Sequence, residues 1–531
     1  MAGIAARATG ETLATDNSPA QAATAMGRGT KSSRPNLILF MPDEMRADAL
    51  SCYGNPLSHT PNFDKLAREG TRFANCFVQY PVCGASRCSL LTGWPTSVRG
   101  HRSLFYFLRP NEPNLFRYLR QSGYDVFLYG KNDALAAESF YDSVTMWNYP
   151  TPKVAGNKDR GRKETRFSGR VVGPDTFIAS EGGDRRATPD YAHLQAAIEI
   201  LERREPERPF CIFLPLSFPH PPYGAPQGFH DMYSPSDIHG LRPRDLPRKP
   251  SYVSGIRREY SLDKTQEETF RKIRALYYGM VSYSDWLMGE MLEALERTNH
   301  DRDTAIFLLS DHGDYAGDYG LVEKWPSGLE DPLTHVPLIA RVPGGVEGHS
   351  VENMVELFDV MATCLELAQT QARHTHFARS LMPQLQGGLG DPARAAFCEG
   401  GYNTYEPQCF EDNQPAGGLY YPKVSLQTND PESISRAAMI RTHEYKLISR
   451  PQGQSELYIY KDDPQELHNR FGDRSVADIQ CELQQHLLHW YVNTTGIAPF
   501  DKDQRDSPPY YPTATFPQST GVSVREILDH G

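Results

Sequence analysis

Three unbroken apolar runs constrain this chain more than any other feature. Asn36-Leu37-Ile38-Leu39-Phe40-Met41 stops at Pro42-Asp43, Phe210–Leu216 (FCIFLPL) runs into Ser217, and Thr304–Leu309 stops at Ser310-Asp311-His312-Gly313. Runs of this length without polar alternation describe strands covered on both faces, as in the middle of a parallel sheet. Around them the order helix, glycine, strand recurs. Pro61 opens a helix through Glu69 that Gly70 closes, before a strand over Phe73–Gln79. Glu112–Ser122 carries Leu115, Phe116 and Leu119 at helical spacing, and Gly123 ends it before a strand over Tyr124–Tyr129. Helices over Asp190–Arg203, Glu267–Arg297 and Met354–Leu367, and a strand over His335–Arg341, continue the series. The expected fold class is α/β: a doubly wound sheet flanked by helices.

The 531 residues divide unequally. Residues 35–390 carry the large sheet. Residues 391–498 change texture: Arg436–Ser449 and Leu457–Tyr460 predict an antiparallel, smaller α+β unit, with a final helix over Val476–Val492. Residues 499–531, rich in Pro and Tyr, predict an irregular arm across the domain or onto a partner subunit, which makes a homo-oligomer plausible. Residues 1–34 have neither a secretory apolar region nor a membrane span, and predict a disordered tail on a soluble, cytoplasmic protein; an organelle transit peptide is the alternative. Hydrophobic residues at 39% and charged residues at 23% allow a large core. A net charge of −11 excludes a surface-wide nucleic-acid binder, but not a small, locally basic pocket for an anion. Nine cysteines in so long a chain are no disulfide framework, and most are expected as small buried hydrophobes.

Chemistry gathers at the strand ends. Asp43 follows one run, His220 lies just past another and Asp311-His312 close a third, and ligand sites in open α/β sheets form outside the carboxyl ends of the strands. Asp43, Glu44, Asp311 and His312 offer oxygen and imidazole ligands suited to Ca²⁺, Mg²⁺ or Mn²⁺ rather than thiolate-bound zinc. A second cluster, Pro81-Val82-Cys83-Gly84-Ala85-Ser86-Arg87-Cys88-Ser89-Leu90-Leu91-Thr92-Gly93, predicts a loop entering a short helix. Cys83 then sits at the helix N-terminus, where free N–H groups favour an anion, and Arg87 adds a second donor one turn on. Cys88 is expected to pack within the helix and His335 to be structural.

Cys83-Gly84-Ala85-Ser86-Arg87 followed by Leu91-Thr92-Gly93 resembles the signature of the type I, formylglycine-dependent sulfatases of the alkaline phosphatase superfamily. Asn36–Asp48, Gly100-His101-Arg102, Gly130-Lys131, Pro219-His220-Pro221, Ser310–Gly313 with Lys324, and Glu456–Asn469 resemble further segments of that family in the same order, over about residues 35–470. The likeness is to the arylsulfatase and phosphonate monoester hydrolase branch. It implies an alkaline-phosphatase-like mixed sheet, and Cys83 oxidised to formylglycine by a formylglycine-generating enzyme. It also implies a divalent metal, Ca²⁺ first, on Asp43, Glu44, Asp311, His312 and the modified Cys83. The implied roles are nucleophile for Cys83, anion stabilisation for Arg87, Lys131 and Lys324, leaving-group protonation for His220 alone or with Lys324, and deprotonation of the hydrate for His101.

Three positions depart from the family pattern. Glu44 stands where members carry Asp or Gln, Asp133 where the lysine motif usually ends in His, and His312 where Asn is common, a change shared with the phosphonate branch. The implied substrate is a small sulfate monoester. The alternatives are a phosphonate monoester or phosphodiester at the same site, and a non-catalytic anion binder with unmodified Cys83. A cysteine hydrolase using Cys83 and His220 is a further, minor alternative.

Overall fold

The computed structural model describes residues 34–148, 177–179, 181–203, 208–411 and 418–498. The expected N-terminal tail (apart from Arg34) and the arm at 499–531 lie outside the described residues. The strands are β1 (Asn36–Pro42), β2 (Thr71–Phe77), β3 (Asp125–Tyr129), β4 (Met146–Asn148), β5 (Phe210–Leu216), β6 (Thr304–Leu309), β7 (His335–Arg341), β8 (His349–Glu356), β9 (Ala396–Gly400), β10 (Ala437–Arg441), β11 (Tyr445–Ser449) and β12 (Glu456–Ile459).

The first eight form one sheet in the order β4-β3-β5-β1-β6-β7-β2-β8. The three apolar runs are its adjacent central strands: β1 pairs in parallel with β5 (Leu37 opposite Cys211) and with β6 (Leu37 opposite Ala305). Strand β7 alone runs against its neighbours, so the sheet is mixed. Each central strand feeds two cores because its side chains alternate. Ile38 and Phe40 join the core beneath the long helix Glu267–Arg297, while Leu37, Leu39 and Met41 join the core on the opposite face. The expected doubly wound α/β class holds.

One expected helix is corrected. Met354–Leu367 divides into the end of β8, which pairs in parallel with β2, and a helix over Asp359–Leu367. Asp359 closes the junction by accepting the Glu356 N–H at 3.0 Å. Met354, Leu357, Val360 and Met361 mimic a helical repeat because a strand end and a helix start meet there. The second sheet, β12-β11-β10-β9, is antiparallel, and the final helix Ala477–Thr494 packs on it through Leu483 and Leu487. Buried Lys446 ties this sheet to the main unit, donating to Asp331 at 2.8 Å and Glu466 at 2.6 Å. No helix among the described residues is long and apolar enough to cross a membrane.

Candidate active site

The parallel strands deliver their loops to one edge. Asp43 directly follows β1, and its N–H donates to Leu216 O of β5 at 3.2 Å. Glu44 adopts a left-handed φ of 68°, a conformation costing a non-glycine residue about 1–2 kcal/mol. Its N–H donating to Asp311 Oδ1 (3.3 Å) and its carbonyl accepting from Tyr277 Oη (2.6 Å) hold that turn. Two glycines are sterically required at this edge. A Cβ at Gly313 would lie 1.9 Å from Pro332 O, and one at Gly130, where φ is +130°, would lie 2.0 Å from Pro215 O. Gly313 thus closes the turn that presents Asp311 and His312, and Gly130 turns the chain so that Lys131 reaches inward. The helix Cys83–Thr92 is buried along its whole length and begins at the same edge.

Cys83 Sγ is the common point of the site. It lies 3.1 Å from His312 Nε2, 3.5 Å from Asp43 Oδ1 and 3.5 Å from Lys131 Nζ. Potential ligand atoms of Asp43, Cys83, Asp311 and His312 all fall within 4.8 Å of one another, as do those of Asp43, Glu44, Cys83 and His220. Lys131 Nζ lies 2.5 Å from Asp43 Oδ2, and Lys324 Nζ pairs with Glu44 and, at 2.8 Å, with Glu323. His220 Nε2 faces Glu44 Oε1 at 3.1 Å and Lys324 Nζ at 3.4 Å.

Charge at the site follows from burial and pairing. Burial opposes ionisation of Asp43, but Lys131 and Arg87 outweigh it and hold its carboxyl well below the usual carboxylate range. Burial pushes Glu44 well up despite Lys324, with Glu323 and Asp314 adding to the shift. Burial likewise pushes the Cys83 thiol well up, so the unmodified side chain is a thiol rather than a thiolate at neutral pH. Burial and Lys324 hold His220 well below the ordinary imidazole value, and burial lowers His312 to about 4.

The residues fit a divalent cation. His312 Nδ1 donates to Gly313 O at 2.9 Å, which turns the Nε2 lone pair toward Cys83 and Asp43, the arrangement typical of a metal-ligating imidazole. Glu44 Oε2 and Asp314 Oδ2 are buried and meet no donor other than each other's carboxyl group. Two or three carboxylates with one imidazole suit Ca²⁺, Mg²⁺ or Mn²⁺.

The structure engages two candidates differently from expectation. His101 turns to Tyr106 O (2.6 Å from Nδ1) and Glu112 Oε1 (2.9 Å from Nε2), beside Cys88 rather than Cys83. Burial opposes its charge, but Cys88 and Glu112 push it up to about 10. Both ring nitrogens are engaged by Tyr106 O and Glu112, so neither faces the Cys83 centre. His101→Gln is therefore expected to cost about 1–3 kcal/mol of stability and to leave kcat/KM nearly unchanged; a large loss of kcat in folded protein would restore the catalytic role. Arg87 spans Asp311 Oδ2 (2.8 Å), Asp43 Oδ2 (3.1 Å) and Lys131 O, so it braces both metal-type carboxylates.

Other groups that the sequence reading did not single out also reach the site. Asp314 and Glu323 are buried acids next to recognised motifs. Half-buried Tyr420 sets its ring 6.5 Å from that of His220, and Lys423 donates to Glu323 at 2.7 Å. The positive φ of 63° at Glu323 was equally invisible in the residue pattern. Asp133 ends beside Lys131, 3.1 Å from Nζ.

A family model described as Sulfatase matches residues 35–370. Human iduronate 2-sulfatase is 26% identical over 518 residues, covering 84% of this chain and 92% of the relative. The multifunctional alkaline phosphatase superfamily protein PehA of Trinickia caryophylli is 27% identical, covering 87% and 96% respectively. The solved phosphonate monoester hydrolase of Agrobacterium radiobacter shares the fold, with a TM-score of 0.70 at 24% identity over 87% of this chain and 96% of that one. The family match spans more than half of the chain and contains Cys83 and its surrounding acids and lysines, so this chain belongs to the sulfatase family of the alkaline phosphatase superfamily and is a hydrolase acting on sulfuric ester bonds.

Proposed function

We propose that this enzyme cleaves a small sulfate monoester at Cys83, matured to formylglycine, with a divalent cation on Asp43, Glu44, Asp311 and His312. One observation carries the reading: position 83 opens a helix amid Lys131, Lys324 and metal-type donors, while burial keeps an unmodified thiol protonated. The same protonated thiol argues against a cysteine hydrolase. The formylglycine hydrate supplies two hydroxyls on one carbon, one to bond to sulfur and one to allow release without a second attack on sulfur. The cation supplies Lewis-acid polarisation.

The chain's own residues do the rest. Lys131 places a charge beside position 83, where negative charge on the sulfuryl oxygens is stabilised. Arg87 keeps Asp43 and Asp311 fixed, so no reorganisation is needed as the reaction proceeds. His220 Nδ1 donates to Pro221 O at 2.7 Å, which leaves Nε2 as an acceptor toward Lys324. The proton for the departing oxygen is accordingly assigned to the Lys324 ammonium, with His220 orienting it. A second reading, phosphonate monoester hydrolysis at the same centre, is favoured by His312 in the donor set.

Mass spectrometry of the tryptic peptide Phe73–Arg87 tests the nucleophile: the expected result is loss of the Cys83 sulfur, and intact Cys83 in fully active protein would sink the mechanism. A higher kcat/KM for an aryl phosphonate monoester than for the matching aryl sulfate would favour the second reading. Dialysis against a chelator is expected to abolish turnover, and Ca²⁺, Mg²⁺ or Mn²⁺ to restore it. Turnover that survives complete metal removal would refute the cation.

A further inference from the structure

The helix Tyr421–Asn429 lies in sequence between the strands of the second sheet, yet it sends one lysine toward the reaction centre. Lys423, with 5% of its side chain exposed, donates to Glu323 Oε2 at 2.7 Å. Glu323 Oε1 accepts from Lys324 Nζ at 2.8 Å, and the Lys324 N–H donates to Oε2 at 3.0 Å. The Glu323 backbone is itself held, its N–H donating to Tyr223 Oη at 2.9 Å. Glu323 therefore presents one carboxylate oxygen to each lysine. The Lys324 ammonium is shared among that oxygen, Glu44 and His220.

How Lys324 divides between these partners decides whether it faces the departing oxygen. With Lys423 in place, half of the Glu323 carboxylate is committed elsewhere. Without it, a buried carboxylate keeps a single cation, and the pull on Lys324 rises in a site of low effective dielectric. We infer that Lys423 is a positioning residue that acts through Glu323 to hold the Lys324 ammonium in line with the leaving group. The inference rests on the assignment of leaving-group protonation to Lys324. It adds a residue from outside the recognised motifs to the apparatus that sets which alcohols can leave.

Leaving-group dependence reads this role, because a nitrophenolate departs with little need of a proton and an alkoxide does not. Full-length metal-loaded Lys423→Met, Lys423→Arg and Lys324→Ala proteins are compared on 4-nitrophenyl sulfate and an alkyl sulfate, per mole of folded enzyme. Lys423→Met is expected to lower kcat/KM for the alkyl ester by about 10–100-fold, part of the ~10²–10⁴-fold that a general acid supplies, and to change the nitrophenyl ester little. Lys423→Arg is expected to recover most of the loss. If Lys423→Met does not fold, Lys423→Gln, which also removes the cation paired with Glu323, carries the same test, with the same selective loss expected. Equal losses on both esters, or none, in a background where Lys324→Ala is selective, would overturn the role of Lys423 alone. Unselective loss in Lys324→Ala would overturn the assignment to Lys324, and this inference with it.

Discussion

Cys83→Ala is expected to bind a sulfate ester and fail to turn it over. Removing a covalent nucleophile from an otherwise intact site costs about 10⁴–10⁶-fold in kcat. Binding should survive, because Lys131, Lys324 and the helix N-terminus that attract the anion remain. The substitution removes one small side chain whose polar contacts, to Asp43, His312 and Lys131, lie within the site and join no two elements of the core, so the melting temperature should move little. Equilibrium binding of 4-nitrophenyl sulfate and single-turnover release of nitrophenol separate the two effects. Wild-type-like turnover in this variant would refute position 83 as the nucleophile, and loss of binding with turnover would show that it supports the site instead.

The second large effect concerns stability rather than chemistry. Asp318 is buried among three arginines, with Oδ2 at 2.7 Å from Arg242, 2.8 Å from Arg46 and 3.0 Å from Arg274. Arg46 also donates to Asp314 O and Tyr315 O at 3.2 and 3.1 Å, so the cluster underlies the turn after β6 that presents Asp311 and His312. Asp318→Asn leaves clustered, poorly compensated buried cations, and is expected to cost about 3–5 kcal/mol. Burial works against the Asp318 charge, but Arg274, Arg46 and Arg242 outweigh it and hold its carboxyl well below the usual range. A depressed folded-state value means stability present above the unfolded-chain value of about 4 and lost as pH falls below it. Urea unfolding at neutral pH and below that value should therefore show the gap between wild type and variant narrowing in acid. A gap that is small at neutral pH, or that widens in acid, would contradict this account.

Much of the fold was legible because it rests on local patterns. The apolar runs of β1, β5 and β6 announced buried parallel strands, and each run ended at the residues that bear the chemistry. The helix after Val82 was legible from small residues followed by Leu90-Leu91 and Gly93. The boundary near Met354 was not, since apolar spacing across a strand end and a helix start is indistinguishable from one helix. His101 shows the same limit at the site. It follows the Cys83 helix closely in sequence, but the chain turns both of its ring nitrogens onto Glu112 and Tyr106, away from Cys83. Arg87 was found by its motif, yet its neighbours Asp43, Asp311 and Lys131 O make it a brace for carboxylates.

From the residues alone came the α/β class, the strand ends at which a site had to form, and the acids and imidazole suited to a cation, while Cys83 as its expected centre came from the resemblance of its segment to the sulfatase signature. These depend on spacing along a few turns or one strand, and on chemistry intrinsic to side chains. Tertiary structure alone decided which charges meet. The order β3-β5-β1-β6 brings Lys131, His220, Asp43 and Asp311 to one edge although they are far apart in the chain. Packing of the Tyr421–Asn429 helix adds Lys423 to Glu323, a contact across 100 residues. Such pairings are set by burial and by the competition of several charges for one partner, which no local pattern encodes.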